Sequence, residues 1–236
     1  MGFGGPMSKM QLTRAPSVEA AIENGQVYVD LQPVVELATG HIHGYEALAR
    51  CKLPALATPM LLFATAIEQG VLPQLAREVR RRSVIAANGA TLFLNVHPAE
   101  VELASADDPI AAHAGTVVLD VQEAPPDLDE LRARGIALAL DGLGVGCSSL
   151  GAIAALDPDL VKLDRELIAG VRMHSRRHEL LAALAALCTT WGATVVAEGV
   201  ETRDELLAVM TAGIPLAQGY YLGRPSLTGA STWTPS

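Results

Sequence analysis

Five apolar runs in this chain each end on a side chain that can bind a metal ion or form hydrogen bonds. The runs are 92–94 before Asn95, 117–119 before Asp120, 137–140 before Asp141, 160–163 before Asp164 and 194–197 before Glu198. Short apolar runs are typical of strands that are buried on both faces. Functional residues of barrel enzymes come from the carboxyl ends of several such strands. We therefore expect these polar ends to converge on one site.

The candidate site is rich in oxygen ligands and contains one amine. Its members are Glu46, Asn95, Asp120, Asp141, Lys162, Asp164, Glu198 and Gln218. Carboxylates and amides without histidine or cysteine suit hard cations such as Mg²⁺ or Mn²⁺, and these ions beside a lysine serve phosphoryl chemistry. Taken singly, each residue is more simply explained as a turn residue or a helix cap, and Asp164 above all, because a helix follows it. The set as a whole indicates a site.

Alternating strands and helices must position these side chains. Strands are predicted at 26–35, 42–48, 91–96, 116–121, 136–141, 159–164, 193–198 and 214–220, and helices from Val18 and at 60–69, 73–87, 98–105, 127–134, 148–155, 176–190 and 203–211. Repeated βα units imply a parallel sheet with helices outside it, and the first two strands form a hairpin. We predict an α/β fold, a TIM-like (β/α)8 barrel with one antiparallel strand. The alternative is an open doubly wound sheet, in which the ligand binds at the single point where the strand order reverses. Polar residues at the ends of five strands spread over the chain fit a closed ring better.

Length, composition and charge limit the domain count and the partners. A chain of 236 residues that is 50% hydrophobic can form one core, and we expect a barrel domain at 16–228 between a disordered lead-in or expression remnant at 1–15 and a tail at 229–236. The net charge of −9 argues against a nucleic acid polymer or an anionic membrane as partner. Scattered cysteines and the lack of a signal sequence or membrane span predict a cytoplasmic protein.

Several segments resemble the EAL-domain family. They are 45–50 (YEALAR), 94–95 (LN), Asp141 with Gly144 and Gly146, 161–165 (VKLDR), 197–202 (AEGVET) and 218–225 (QGYYLGRP). The resemblance covers roughly residues 17–225 in the family's order, and its last two segments are specific. It implies a TIM-like barrel that binds cyclic dimeric GMP (c-di-GMP). In active members it also implies cleavage of one phosphodiester bond with two Mg²⁺ or Mn²⁺ ions.

The resemblance also implies roles for individual residues. Glu46, Asn95, Asp120 and Asp141 resemble metal ligands, Lys162, Glu198 and Glu201 resemble catalytic residues, and Gln32, Arg50, Asp164 and Gln218 resemble ligand contacts. Lys162 would orient the attacking water or hold the phosphate, and Glu198 would act as base or as partner of a metal-bound water. Glu201 would brace the loop after Asp141, and Arg50 would contact a phosphate. A homodimer through the face near that loop is a further implication.

Two departures from the family pattern bear on catalysis. Gly142 stands where the family has a second aspartate, and Asp120 stands where it usually has glutamate. Metal ions in a two-metal centre lie about 3.5–4 Å apart, where unit charges interact by ~4 kcal/mol at an effective dielectric of ~20, and two dications by roughly four times as much. Without a bridging carboxylate we expect weak or single metal occupancy.

Three functions remain open at this point. The first is a degenerate EAL domain, a receptor or regulatory module in bacterial signalling that binds c-di-GMP with little or no hydrolysis. The second is a metal-dependent c-di-GMP phosphodiesterase that releases the linear dinucleotide pGpG. The third is a protein-interaction module, in which the surface of the barrel binds a protein partner independently of nucleotide.

Overall fold

The computed structural model describes residues 16–97, 107–122, 128–144 and 150–229, which form a closed barrel. The lead-in predicted at 1–15, the helix predicted at 98–105 and the tail beyond Gly229 lie outside the described residues. The predicted domain limits of 16 and 228 therefore stay predictions.

Eight strands close the barrel within the described part of the chain. They are β1 (Val27–Glu36), β2 (Ile42–Cys51), β3 (Leu92–Asn95), β4 (Val117–Val121), β5 (Ala137–Leu143), β6 (Leu160–Leu163), β7 (Thr194–Ala197) and β8 (Leu216–Ala217). Strand β1 is antiparallel to both β2 and β8, while the neighbours from β2 round to β8 are parallel. The predicted TIM-like barrel with one antiparallel strand is confirmed.

Helices follow the strands and pack on the outside of the barrel. They are α1 (Val18–Glu23), α2 (Pro59–Glu68), α3 (Leu72–Ala87), α4 (Leu128–Ala133), α5 (Leu150–Leu156), α6 (Arg165–Ile168), α7 (Arg176–Thr190) and α8 (Arg203–Thr211). The last strand is shorter than the predicted 214–220, because Gly219 begins a tight turn in which its carbonyl accepts a hydrogen bond from Gly223 N at 2.9 Å.

The interior of the barrel is filled by a layer of apolar side chains. One cluster joins residues from seven of the eight strands: Val34, Phe93, Val118, Ala139, Leu160, Val196 and Leu216. Their chain neighbours, such as Leu94 and Val161, belong to the larger core between the sheet and the helices. Side chains alternate across a strand. On each parallel strand, the residue two positions after the cluster member therefore also faces inward and lies at the carboxyl end of the strand. Strand β1 runs in the opposite direction, so on β1 the residue that faces inward at this end is two positions before Val34.

The start of α8 is fixed by a reciprocal cap. Thr202 Oγ1 accepts a hydrogen bond from Glu205 N at 3.3 Å, and the Glu205 carboxylate accepts one from Thr202 N at 2.9 Å. Such a capping box satisfies two amide groups that the first turn leaves unpaired.

We predict that Thr202→Ala lowers the free energy of unfolding by about 1 kcal/mol, the usual contribution of a helix cap. Thr190→Ala is the matched control, because that exposed hydroxyl only donates back to Ala186 O within α7. Urea unfolding followed by circular dichroism measures both. Equal stability of the two variants would contradict the capping role.

Candidate functional site

Each of the eight strands, or the residue directly after it in the case of β7 and β8, contributes one polar side chain to a layer next to the apolar one. This polar layer consists of Gln32, Glu46, Asn95, Asp120, Asp141, Lys162, Glu198 and Gln218. Each lies two residues from an inward-facing position of its strand, as Lys162 does from Leu160 and Asp120 from Val118. The alternation of the strands thus gathers side chains that are far apart in sequence at the carboxyl end of the barrel.

Lys162 is at the centre of the polar layer and is 1% exposed. Its Nζ lies 2.8 Å from Asp120 Oδ2 and 2.7 Å from Glu198 Oε1. Glu46 Oε1 and Asp141 Oδ1 are farther away, at 3.7 Å and 3.9 Å. One ammonium group therefore compensates several carboxylates in a poorly solvated space, where charge interactions are stronger than in water.

Amide side chains orient Glu46 on the other side of the layer. Asn95 Nδ2 donates to Glu46 Oε1, and Gln218 Nε2 donates to Glu46 Oε2, both at 2.6 Å. Gln218 Nε2 also lies 3.0 Å from Gln32 Oε1, and Gln32 Nε2 donates to Gly223 O at 3.1 Å. This chain of hydrogen bonds connects β1, β2, β3 and the turn after β8.

Burial and mutual repulsion change the ionisation of these carboxylates. Burial raises the pKa of Asp120 to about 8 despite attraction to Lys162, and repulsion by Glu46 adds to the effect. Burial likewise raises the pKa of Glu198 to about 7, again against Lys162. For Glu46, burial is outweighed by attraction to Lys162 and by the two amide donors, so its pKa is lowered. The pKa of Lys162 is raised, because its carboxylate neighbours outweigh burial.

Two buried oxygen atoms of the polar layer have unused acceptor capacity. Among the described residues, Asp120 Oδ1 and Gln218 Oε1 are the buried side-chain oxygens that accept no hydrogen bond. Carboxylate and amide oxygens are the donors that Mg²⁺ and Mn²⁺ prefer, so the donor types fit a divalent cation. In the described part of the chain, no three acidic, histidine or cysteine side chains already form a group arranged to hold one.

Three predicted site residues make their contacts outside the polar layer: Arg50, Asp164 and, described below, Glu201. Arg50 Nε lies 3.0 Å from Asp30 Oδ2, farther up the same faces of β2 and β1. Asp164 caps α6, as its oxygen accepts from Glu166 N at 2.7 Å. Sequence reasoning missed Asp30, although its spacing of two residues from Gln32 placed it on the inward face.

Glu201 pairs with a residue that the sequence did not single out. Its Oε1 lies 3.0 Å from Arg165 Nη2. The loop after Asp141, which Glu201 is predicted to brace, is described only as far as Gly144, because residues 145–149 lie outside the described ranges. The roles predicted for Arg50, Asp164 and Glu201 remain predictions.

A cavity of about 610 Å³ opens beside the polar layer between β2, β3, α2 and α3. Its polar lining includes Glu46 and Asn95, together with Arg80, His97 and Gln122, and Met60, Phe63 and Val79 contribute apolar surface. Small-molecule sites usually have volumes of roughly 300–1,000 Å³. There is therefore room for a ligand beside Glu46 and Asn95, on the side of the barrel that α2 and α3 cover. No helix among the described residues is long and apolar enough to span a membrane.

Comparison with known proteins shows a family match and several relatives of this chain. The profile of the EAL domain matches residues 15–225. The chain is 28% identical over 241 residues to the cyclic di-GMP phosphodiesterase NbdA of Pseudomonas aeruginosa, covering 91% of this chain and 31% of that protein. It is 27% identical over 240 residues to the cyclic di-GMP phosphodiesterase RocR of the same organism, covering 91% and 61%. The chain thus spans less than two thirds of either relative.

Solved structures of similar fold include nucleotide complexes. The PaMucR phosphodiesterase in complex with c-di-GMP has a TM-score of 0.75 and 26% identity, covering 89% of this chain and 95% of that one. The Klebsiella pneumoniae protein BlrP1 with calcium and c-di-GMP has a TM-score of 0.76 and 27% identity, covering 93% and 60%. Its manganese complex has a TM-score of 0.75 and 28% identity, covering 88% and 58%.

The compensating role of Lys162 is testable by its removal. We predict that Lys162→Met lowers the free energy of unfolding by ~3 kcal/mol at about pH 9, where Asp120 and Glu198, with pKa values of about 8 and about 7, are ionised and lose their counter-charge. The loss should shrink at about pH 5, where both carboxylates accept protons. Urea unfolding at both pH values measures it, with exposed Lys52→Met as control, for which a change within about 0.5 kcal/mol is expected. An equal loss at both pH values would contradict the electrostatic explanation.

Metal binding should release protons. Since the pKa of Asp120 is about 8 and a ligating carboxylate must be deprotonated, Mn²⁺ affinity should rise at least ~tenfold from about pH 6 to about pH 8. Titration calorimetry in two buffers of different ionisation enthalpy measures both affinity and proton release. Affinity that is independent of pH, with no proton released, would contradict an Asp120 that is protonated before the cation binds.

Proposed function

Because this chain belongs to the EAL domain family, we propose that it binds c-di-GMP at the mouth of the barrel and hydrolyses it as a metal-dependent phosphodiesterase. The observation that carries the proposal is the polar layer to which all eight strands contribute, with Lys162 between Asp120 and Glu198. Relatives named as c-di-GMP phosphodiesterases support hydrolysis more directly than binding alone.

The oxygen donors on one side of the polar layer would hold the cation. These are Glu46, Asn95, Asp120 and Asp141, and the proposed ion is Mg²⁺ or Mn²⁺. A bound divalent cation supplies charge neutralisation at the phosphate and lowers the pKa of a bound water. The unused acceptor Oδ1 of Asp120 supports this assignment.

Lys162 would bind the phosphate or the attacking water, and Glu198 would accept a proton. An ammonium group at the centre of the layer can donate hydrogen bonds to a phosphate oxygen or to the attacking water. Glu198, with a pKa of about 7, can accept a proton near neutral pH, where a general base is most effective. Gln32 and Gln218 would bound the pocket on the side of β1 and β8.

Binding without turnover is the second candidate, and Gly142 favours it. This residue follows Asp141 and offers no side chain to a second cation. Asp120 has one methylene fewer than the family's usual glutamate, about 1.5 Å of reach, whereas metal–ligand distances tolerate only about 0.2 Å. Hydrolysis with one weakly held cation would be slow, and the domain would then act mainly as a receptor.

Two expectations from the sequence accompany either candidate as proposals. The homodimer through the face near Asp141 is implied by the family resemblance, and cytoplasmic localisation by the odd number of scattered cysteines, which fits a reducing compartment. Size-exclusion chromatography with light scattering, with and without c-di-GMP, would decide the first.

Binding and turnover are separated by two measurements on the wild-type protein. Titration calorimetry with Ca²⁺ should give c-di-GMP binding with a dissociation constant below ~50 µM. Chromatography after incubation with Mn²⁺ should then detect pGpG. Binding without product would establish the receptor function, and absence of binding in both ions would remove both candidates.

Restoring a carboxylate at Gly142 tests the limit on catalysis. Nothing lies within 4 Å of a Cβ built on Gly142, and its φ of +71° is a conformation that Asp and Asn tolerate better than most residues. We predict that Gly142→Asp raises hydrolysis at least ~tenfold, or ~1.4 kcal/mol of barrier, because the new anion reduces repulsion between cations. Gly142→Asn is the matched control, equal in size and uncharged, and should not raise it. Equal rates for both variants would contradict the electrostatic reason.

A further inference from the structure

An arginine and a tyrosine form a stacked pair on the turn that follows β8. The Arg224 guanidinium carbon lies 4.4 Å from the centre of the Tyr220 ring. Tyr220 is 50% exposed, and Arg224 is exposed as well. Stacking on a ring holds a guanidinium in one orientation while its N–H groups stay available to an outside acceptor.

The turn that carries this pair is anchored to the polar layer. Gly223 N donates to Gly219 O at 2.9 Å, which sets Tyr220 and Arg224 on one turn of chain. Gly223 O accepts a hydrogen bond from Gln32 Nε2 at 3.1 Å. Farther along, Ser226 and Leu31 exchange two backbone hydrogen bonds. Arg224 therefore directly follows Gly223, whose carbonyl accepts a hydrogen bond from Gln32 of the polar layer.

The charge of Arg224 lacks the compensation that other cations of the site have. Lys162 contacts carboxylates, Arg50 pairs with Asp30, and Arg165 pairs with Glu201. Across residues 16–97, 107–122, 128–144 and 150–229, no carboxylate forms an ion pair with Arg224. An exposed arginine without a carboxylate partner, on a turn that contacts the polar layer through Gly223, is suited to an anionic ligand.

We propose that Arg224, oriented by Tyr220, binds a phosphate of c-di-GMP at the rim of the barrel. The inference rests on the proposed function and adds a residue to it. A guanidinium donates two parallel hydrogen bonds to phosphate oxygens, and it offsets the repulsion between the dinucleotide and the carboxylates of the layer. Lys162 acts at the centre of the layer, and Arg224 acts at its edge.

The test compares Arg224→Met with Arg77→Met, a change at an exposed arginine on α3. Calorimetric titration of c-di-GMP with Ca²⁺ should show ~tenfold weaker binding for Arg224→Met, with affinity that falls less steeply as salt rises, since one phosphate contact is lost. Arg77→Met should bind as the wild type does. Arg224→Lys should recover part of the affinity, because it keeps the charge but loses the paired donors.

Variants of Tyr220 distinguish the effect of orienting the Arg224 guanidinium from the effect of its charge. Tyr220→Phe keeps the ring and should bind almost normally, whereas Tyr220→Leu should weaken binding ~threefold. Unchanged affinity and salt dependence in Arg224→Met, beside a wild type that binds, would overturn the inference and leave the proposed function intact. A wild type that does not bind c-di-GMP would remove both.

Discussion

The side-chain alternation of a closed barrel is the constraint on which the site depends. Each strand presents every second residue to the interior, and in this barrel an apolar layer lies below a polar one. Phe93 helps to fill the lower layer and is accommodated by Gly44, where a built Cβ would lie 3.1 Å from the ring and 2.6 Å from Thr91 O. The upper layer then holds charged groups over a rigid apolar floor.

Lys162 makes the upper layer compatible with folding. Several carboxylates in one buried space repel each other, and the raised pKa values of Asp120 and Glu198 express that repulsion together with burial. The central ammonium reduces it at short distances. The same arrangement prepares the site for a ligand, because hydrogen bonds and ion pairs already orient the side chains that a phosphate would meet.

Much of this could be predicted from the sequence, because the relevant signals are local. Strand β6 and residues such as Asp120 and Glu198 are predicted from short apolar runs that end on a polar residue. Seven of the eight polar-layer residues are predicted as strand ends, Gln32 is indicated only by the family resemblance, and Asp164, predicted with the seven, caps α6 instead. Contacts between distant segments could not be predicted: Arg50 with Asp30, Arg165 with Glu201. They depend on rotamers and on the register between strands, which no local pattern specifies. Whether Gly142 prevents hydrolysis likewise depends on how strongly a cation is held.

The central claim is that the polar layer around Lys162 is where the nucleotide binds. A crystal structure of the protein with c-di-GMP and Ca²⁺ tests it most directly. The account predicts electron density for the dinucleotide across the carboxyl end of the barrel, with a phosphate oxygen within hydrogen-bonding distance of a polar-layer side chain. Density for the nucleotide at another surface, with Lys162 still enclosed by Asp120 and Glu198, would contradict it.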